Sequence, residues 1–229
     1  MPSSWTTPID SYCERIGQGF WAEPLNAVTN AGFLVAAALA LVEWRKAGGK
    51  DHASLWLIAV TAVVGTGSFL FHTFANRWSV LADVIPIAVF IYSYFLLAMR
   101  RYLGLARLAA VAATAVFMLV NMSFVRLWLG VFPGVTLNGS VGYVPAALAL
   151  LGVGGLCLRL SAHQAGIALL WAAGIFAVSL VLRTVDGVVC TAVPVGTHFL
   201  WHVLNAVVLL ILMRAAIASS AVDRAQAHG

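Results

Sequence analysis

Four ionisable side chains stand inside otherwise apolar runs of this chain: His72, Asp83, His198 and His202. The run HFLWH sets His198 and His202 at i and i+4, on one face of a helix and one turn apart. That is how a helix presents two imidazoles to a single metal ion. His72 would complete a three-histidine zinc site with one position left for water, the open coordination of catalytic rather than structural zinc. Asp83 could be a fourth ligand, a group that orients a ligand, or a general base. Ser68 lies one turn before His72, so its hydroxyl shares that face and could hold the water or a developing oxyanion.

The elements that must carry these residues are membrane helices. A soluble domain has about 25% charged residues; here 9% of 229 residues are charged and 62% are hydrophobic. Mean hydropathy is +0.96. Disorder and a disulfide-rich secreted module are excluded, and no basic cluster with interleaved aromatics supports nucleic acid binding despite the +5 charge. About 20 apolar residues cross a bilayer, and seven segments qualify: 25–44, 53–75, 79–98, 104–122, 141–160, 165–182 and 195–214. Residues 123–140 and 183–194 read as loops, and the tail after Arg214 as short and frayed. The expected fold is all-α, one seven-helix membrane domain over 1–229. The first 20 residues have no continuous apolar core, so no cleavable signal sequence is expected.

Lysines and arginines set the orientation. One side holds Arg45, Lys46, Lys50, Arg100, Arg101, Arg107, Arg159, Arg214 and Arg224; the other holds Arg15, Arg77, Arg126 and Arg183. Positive charge gathers in the cytoplasm, so the N-terminus is expected outside and the C-terminus inside. His72, Asp83, His198 and His202 then lie at one depth near the external helix ends, the first two within roughly 5 Å of those ends. An isolated intramembrane histidine is usually a packing residue, but three helices rarely bring polar groups to one level by chance. His52, His163 and His228 read as solvated, and aromatic residues near span ends as interfacial anchors. Cys13 and Cys190 share the oxidising side, where they could form a disulfide or stand as two free thiols, while Cys157 is buried packing.

A second polar cluster, Asp10, Glu14, Glu23, Asn26 and Asn30, opens the first span. Its oxygens suit a hard cation such as calcium; helix capping and interhelical hydrogen bonds are the alternative for the two asparagines. Asp186 could join it or be solvated.

Three blocks resemble the alkaline ceramidase family, within the superfamily of seven-span membrane hydrolases that includes the adiponectin and progestin receptors. They are CERIGQGFWAEPLNAVTN at 13–30, GTGSFLFHTFANRWSVLADVIPI at 65–87 and HFLWH at 198–202. The resemblance implies that His72, His198 and His202 bind zinc beside Ser68 and Asp83, and that a membrane lipid, ceramide or a related N-acyl lipid, is cleaved at its amide. It also implies a calcium site, for which Asp10, Glu14 and Glu23 are the candidates. The family's Asp before Cys-Glu is Ser11 here, and its Asn two residues after that Glu is Ile16.

Two rivals stand beside a hydrolase: a zinc- and lipid-binding receptor without turnover, and a metal or proton transporter. Against the transporter, no polar series continues through the cytoplasmic half. Retinal chemistry is disfavoured because the only lysines, Lys46 and Lys50, lie in a loop. The compact chain and short loops suggest a bacterial inner membrane.

Overall fold

The computed structural model describes residues 4–160 and 162–227, with side chains to Ser220. All of its regular structure is helical: α1 (Pro24–Thr29), α2 (Ala31–Lys46), α3 (His52–Phe74), α4 (Arg77–Arg101), α5 (Arg107–Val131), a 3-10 turn at Leu137–Tyr143, α6 (Val144–Arg159), α7 (His163–Val189) and α8 (His198–Ala227). Counting α1 with α2, and the 3-10 turn with α6, seven of these are long and apolar enough to cross a membrane. The fold is the expected all-α membrane bundle. α3 packs between α2 and α4, α7 joins α6 to α8, and α2 closes the ring against α8. α5 stands at the edge, with Ala110 its one buried residue.

Three segments differ from expectation. α5 runs on through Arg126 to Val131, and the remaining connection is largely the 3-10 turn, which leans on α7 through Asn138 Nδ2 donating to the Arg183 carbonyl (2.9 Å). α7 continues through Arg183 and Asp186 to Val189 because Ser179, Arg183 and Asp186 follow the i, i+4, i+7 face that turns inward. The tail is helical to Ala227. His52 and His163 are exposed at helix starts; His228 lies outside the described residues.

At the end of the bundle far from the histidines, Asp51 caps α3, accepting from Ala53 N, and takes two hydrogen bonds from Arg101 (2.9 and 3.0 Å). Arg101 also reaches the Ala216 carbonyl at 2.7 Å, tying the α2–α3 turn to α4 and α8. Burial works to raise the Asp51 carboxyl, but the hydrogen bonds from Arg101 and Ser54 outweigh it and hold it at about 2.

The α3–α4 crossing aligns the site. Pro86 has no N–H to give, so the Ala82 carbonyl loses its helical donor. That carbonyl faces Gly67 so closely that a Cβ there would lie 1.9 Å from its oxygen. Gly67→Ala is therefore expected to force α4 away from α3 and carry Asp83 off Ser68, one residue along from each. Detergent-solubilised Gly67→Ala should melt below wild type, by about 1–3 kcal/mol as overpacking costs; an unchanged melting curve would show that the crossing tolerates the methyl.

Candidate metal centre

The three histidines meet. His72 comes from the last turn of α3, and His198 and His202 from the first turns of α8. Each is about 1% exposed. Their rings are 4.6 to 5.2 Å apart by centroid, and one ligand nitrogen from each lies within 4.8 Å of the others.

The outward nitrogens explain how the rings are held. Glu23 Oε2 accepts from His72 Nδ1 at 2.6 Å. Thr29 Oγ1 gives its own proton to the Leu25 carbonyl (2.7 Å) and so accepts from His202 Nδ1 at 3.0 Å. Both partners assign the proton to Nδ1 and leave the lone pair on Nε2. His198 is fixed by stacking on Tyr12, 3.7 Å between centroids and 16° from parallel. The atoms left without any partner are His72 Nε2, His198 Nδ1 and His202 Nε2. Unpaired buried acceptors are costly, and three that converge relieve that cost by sharing a cation. A divalent metal that favours imidazole, zinc foremost, fits this donor set, and the Glu23 and Thr29 contacts are those that orient metal-binding histidines.

Beside the triad, on α3, Ser68 lies across the α3–α4 crossing from Asp83, near enough to interact with its carboxylate. Asp83 Oδ1 is buried with no hydrogen-bond partner. Asp83 does not belong to the group of converging donors, so of its three expected roles the geometry favours a proton acceptor over a ligand.

Asp186, read from sequence as a loop residue, is fully buried. Its Oδ1 accepts from Thr197 N (2.7 Å) and His198 N (2.9 Å), and its Oδ2 from Cys13 N (3.1 Å). A carboxylate at a helix N-terminus is stabilising, and here it fixes where α8 begins, hence where its histidines point. Gly196 makes room: at φ +65, a Cβ would sit 2.1 Å from Asp186 Oδ1. Of the two readings of Cys13 and Cys190, the disulfide is the one formed, and Cys157 is buried and free.

Sequence reasoning missed Arg183 and the rings around it. The Arg183 guanidinium donates to Tyr12 Oη at 3.0 Å and lies 5.2 to 5.7 Å from the ring centroids of Tyr12, Tyr143 and Trp201. Burial raises the Tyr12 phenol to about 12, although Arg183 beside it works the other way, so it stays neutral. Among the described residues no carboxylate lies within ion-pair distance of Arg183, and its Nε has no partner. The helical spacing of Ser179, Arg183 and Asp186 was the available signal. Tyr143 and Trp201, expected as interfacial anchors, also line an apolar cavity of about 100 Å³ that runs on between α4, α6, α7 and α8 past Phe90, Phe176 and Leu209.

The acids of the second cluster are not gathered into a metal group among the described residues. Asp10 is exposed. Glu14 receives the N–H groups of Leu25 (2.6 Å) and Asn26 (2.7 Å), serving as a remote cap for α1; burial still pushes its carboxyl up. Asn26 Nδ2 donates to Glu23 (3.0 Å) and Asn30 Nδ2 to the Asn26 carbonyl (2.7 Å), local bonds that are neither helix caps nor interhelical, and both asparagine side-chain oxygens stay without a partner. Comparison of the chain with known protein families and with curated proteins finds no match.

Proposed function

We propose that this protein is a zinc-dependent intramembrane hydrolase that cleaves the amide of ceramide or a related N-acyl lipid to a fatty acid and a sphingoid base. The observation that carries the hydrolase reading is the convergence of three buried histidines, each with an unpartnered nitrogen, one turn of α3 from the Ser68 that faces Asp83. The choice of an amide rests on the resemblance of the blocks at 13–30, 65–87 and 198–202 to alkaline ceramidases. Zinc held by His72, His198 and His202 would lower the pKa of water towards about 7 and polarise the carbonyl.

The chain's own groups do the rest. Asp83 accepts the proton as the water oxygen bonds to the acyl carbon, and returns it to the nitrogen as the C–N bond breaks. Ser68, across the α3–α4 crossing from Asp83, offers a hydroxyl to the reacting groups. Arg183, a cation with no carboxylate partner, favours the negative charge that grows on the acyl oxygen. The apolar cavity under Tyr143 and Trp201 takes hydrocarbon. The charge bias of the loops favours an external site and a cytoplasmic C-terminus, and the short loops favour a bacterial inner membrane.

The test is release of fatty acid and free amine from a labelled ceramide in detergent micelles. Turnover above a metal-stripped control, restored by added zinc, is the expected result. Zinc retention with lipid binding but no turnover would instead favour a receptor.

A further inference from the structure

We infer that the Arg15 guanidinium stands in for the hard cation expected among the N-terminal acids, and that by gripping Glu23 and the His72 backbone together it positions His72 for the metal. The inference rests on the reading of the three histidines as ligands.

The oxygen count argues against calcium: in this cluster the buried oxygens left without a partner are two neutral amide oxygens, Asn26 Oδ1 and Asn30 Oδ1. Calcium takes about 6–8 oxygens. Both Glu14 oxygens already accept backbone N–H groups. Glu23 Oε1 accepts from Arg15 Nε, and Glu23 Oε2 accepts from His72 Nδ1 and Asn26 Nδ2. Every carboxylate oxygen of these two residues is thus engaged by a protein donor. Asp10 is exposed and apart, and Ile16 is 86% exposed with no oxygen to offer.

The guanidinium fills the vacancy in charge. Its side chain is almost wholly buried against Glu23, as an ion pair. Arg15 Nη2 donates to the His72 carbonyl at 3.1 Å and Nη1 to the Gly17 carbonyl at 3.3 Å. One rigid fork therefore touches His72 at its backbone directly and at its ring through Glu23. A lysine would bring the charge but not the fork, since a single ammonium cannot span both oxygens in that plane. Groups that orient a ligating histidine are worth about 10–100-fold in metal affinity.

The experiment measures zinc affinity of the detergent-purified full chain by chelator competition, with and without millimolar calcium, for wild type, Arg15→Gln, Arg15→Lys and Glu23→Gln. Wild type should hold zinc equally in both conditions. Arg15→Gln should bind zinc about 10–100-fold more weakly, Arg15→Lys should recover only part of the loss, and added ethylguanidinium should restore affinity to Arg15→Gln. A merely structural role would leave that rescue absent. Wild-type affinity in all variants, or a wild type whose zinc affinity needs calcium, would overturn the role of Arg15 alone. A wild type that binds no zinc would overturn the metal reading beneath it.

Discussion

A His198→Ala/His202→Ala chain is expected to purify without zinc, where wild type carries about one per chain as a three-histidine site should. The two substitutions remove two of the three converging nitrogens and leave His72 Nε2 alone. A single imidazole does not hold zinc through purification, so the loss should be complete rather than graded. Lipid hydrolysis should fall with it to the level of a metal-stripped wild type. The fold should survive, because the start of α8 is fixed by Asp186 through the backbone N–H groups of Thr197 and His198, which alanine retains. Metal analysis beside a circular dichroism melt separates the outcomes. A double variant that still carries its zinc would remove the triad from consideration and return the histidines to packing.

Asp83→Asn is expected to do the reverse: keep the metal and lose turnover by about 10²–10⁴-fold, the range in which a positioned acid–base group contributes. Asparagine preserves shape and can keep a hydrogen bond with Ser68, but it has no carboxylate to take a proton. Because Asp83 lies outside the converging donor group, zinc content should match wild type. The loss should appear in kcat with little change in KM. If the variant instead loses zinc, Asp83 is a ligand; if it turns over normally, the proton goes elsewhere.

These two expectations draw on residues that hydropathy alone exposes. His72, Asp83, His198 and His202 interrupt runs that are otherwise uniformly apolar, and a bilayer makes each interruption expensive. The i, i+4 spacing of the last two reads directly as one helix face. The seven spans follow for the same reason, since length and hydropathy decide membrane crossing with little help from tertiary contacts. Span ends were harder. Arg183 looked like the end of a helix because charge normally marks the membrane surface, yet here it turns inward under Tyr12, Tyr143 and Trp201. The same reasoning places its neighbour Asp186 in a loop, whereas it is buried within α7. The role of Glu23 was hidden more deeply. Its partner His72 is 49 residues away, and no periodicity links a segment outside the first span to the last turn of α3. Composition suggested a cation among those acids; only three-dimensional placement assigns that charge to Arg15.

The residues that converge on the triad come from both ends of the chain. Cys13 is joined to Cys190 across a sequence separation of 177, and His72 waits for histidines that belong to α8. During synthesis from the N-terminus, α3 is in place long before α8 exists. A chain halted anywhere before His198 therefore has only one of the three converging imidazoles. The three-histidine group is thus withheld from any chain in which α8 has not yet been made, and forms only when α8 has docked under Asp186 and the N-terminal segment has been tied over it.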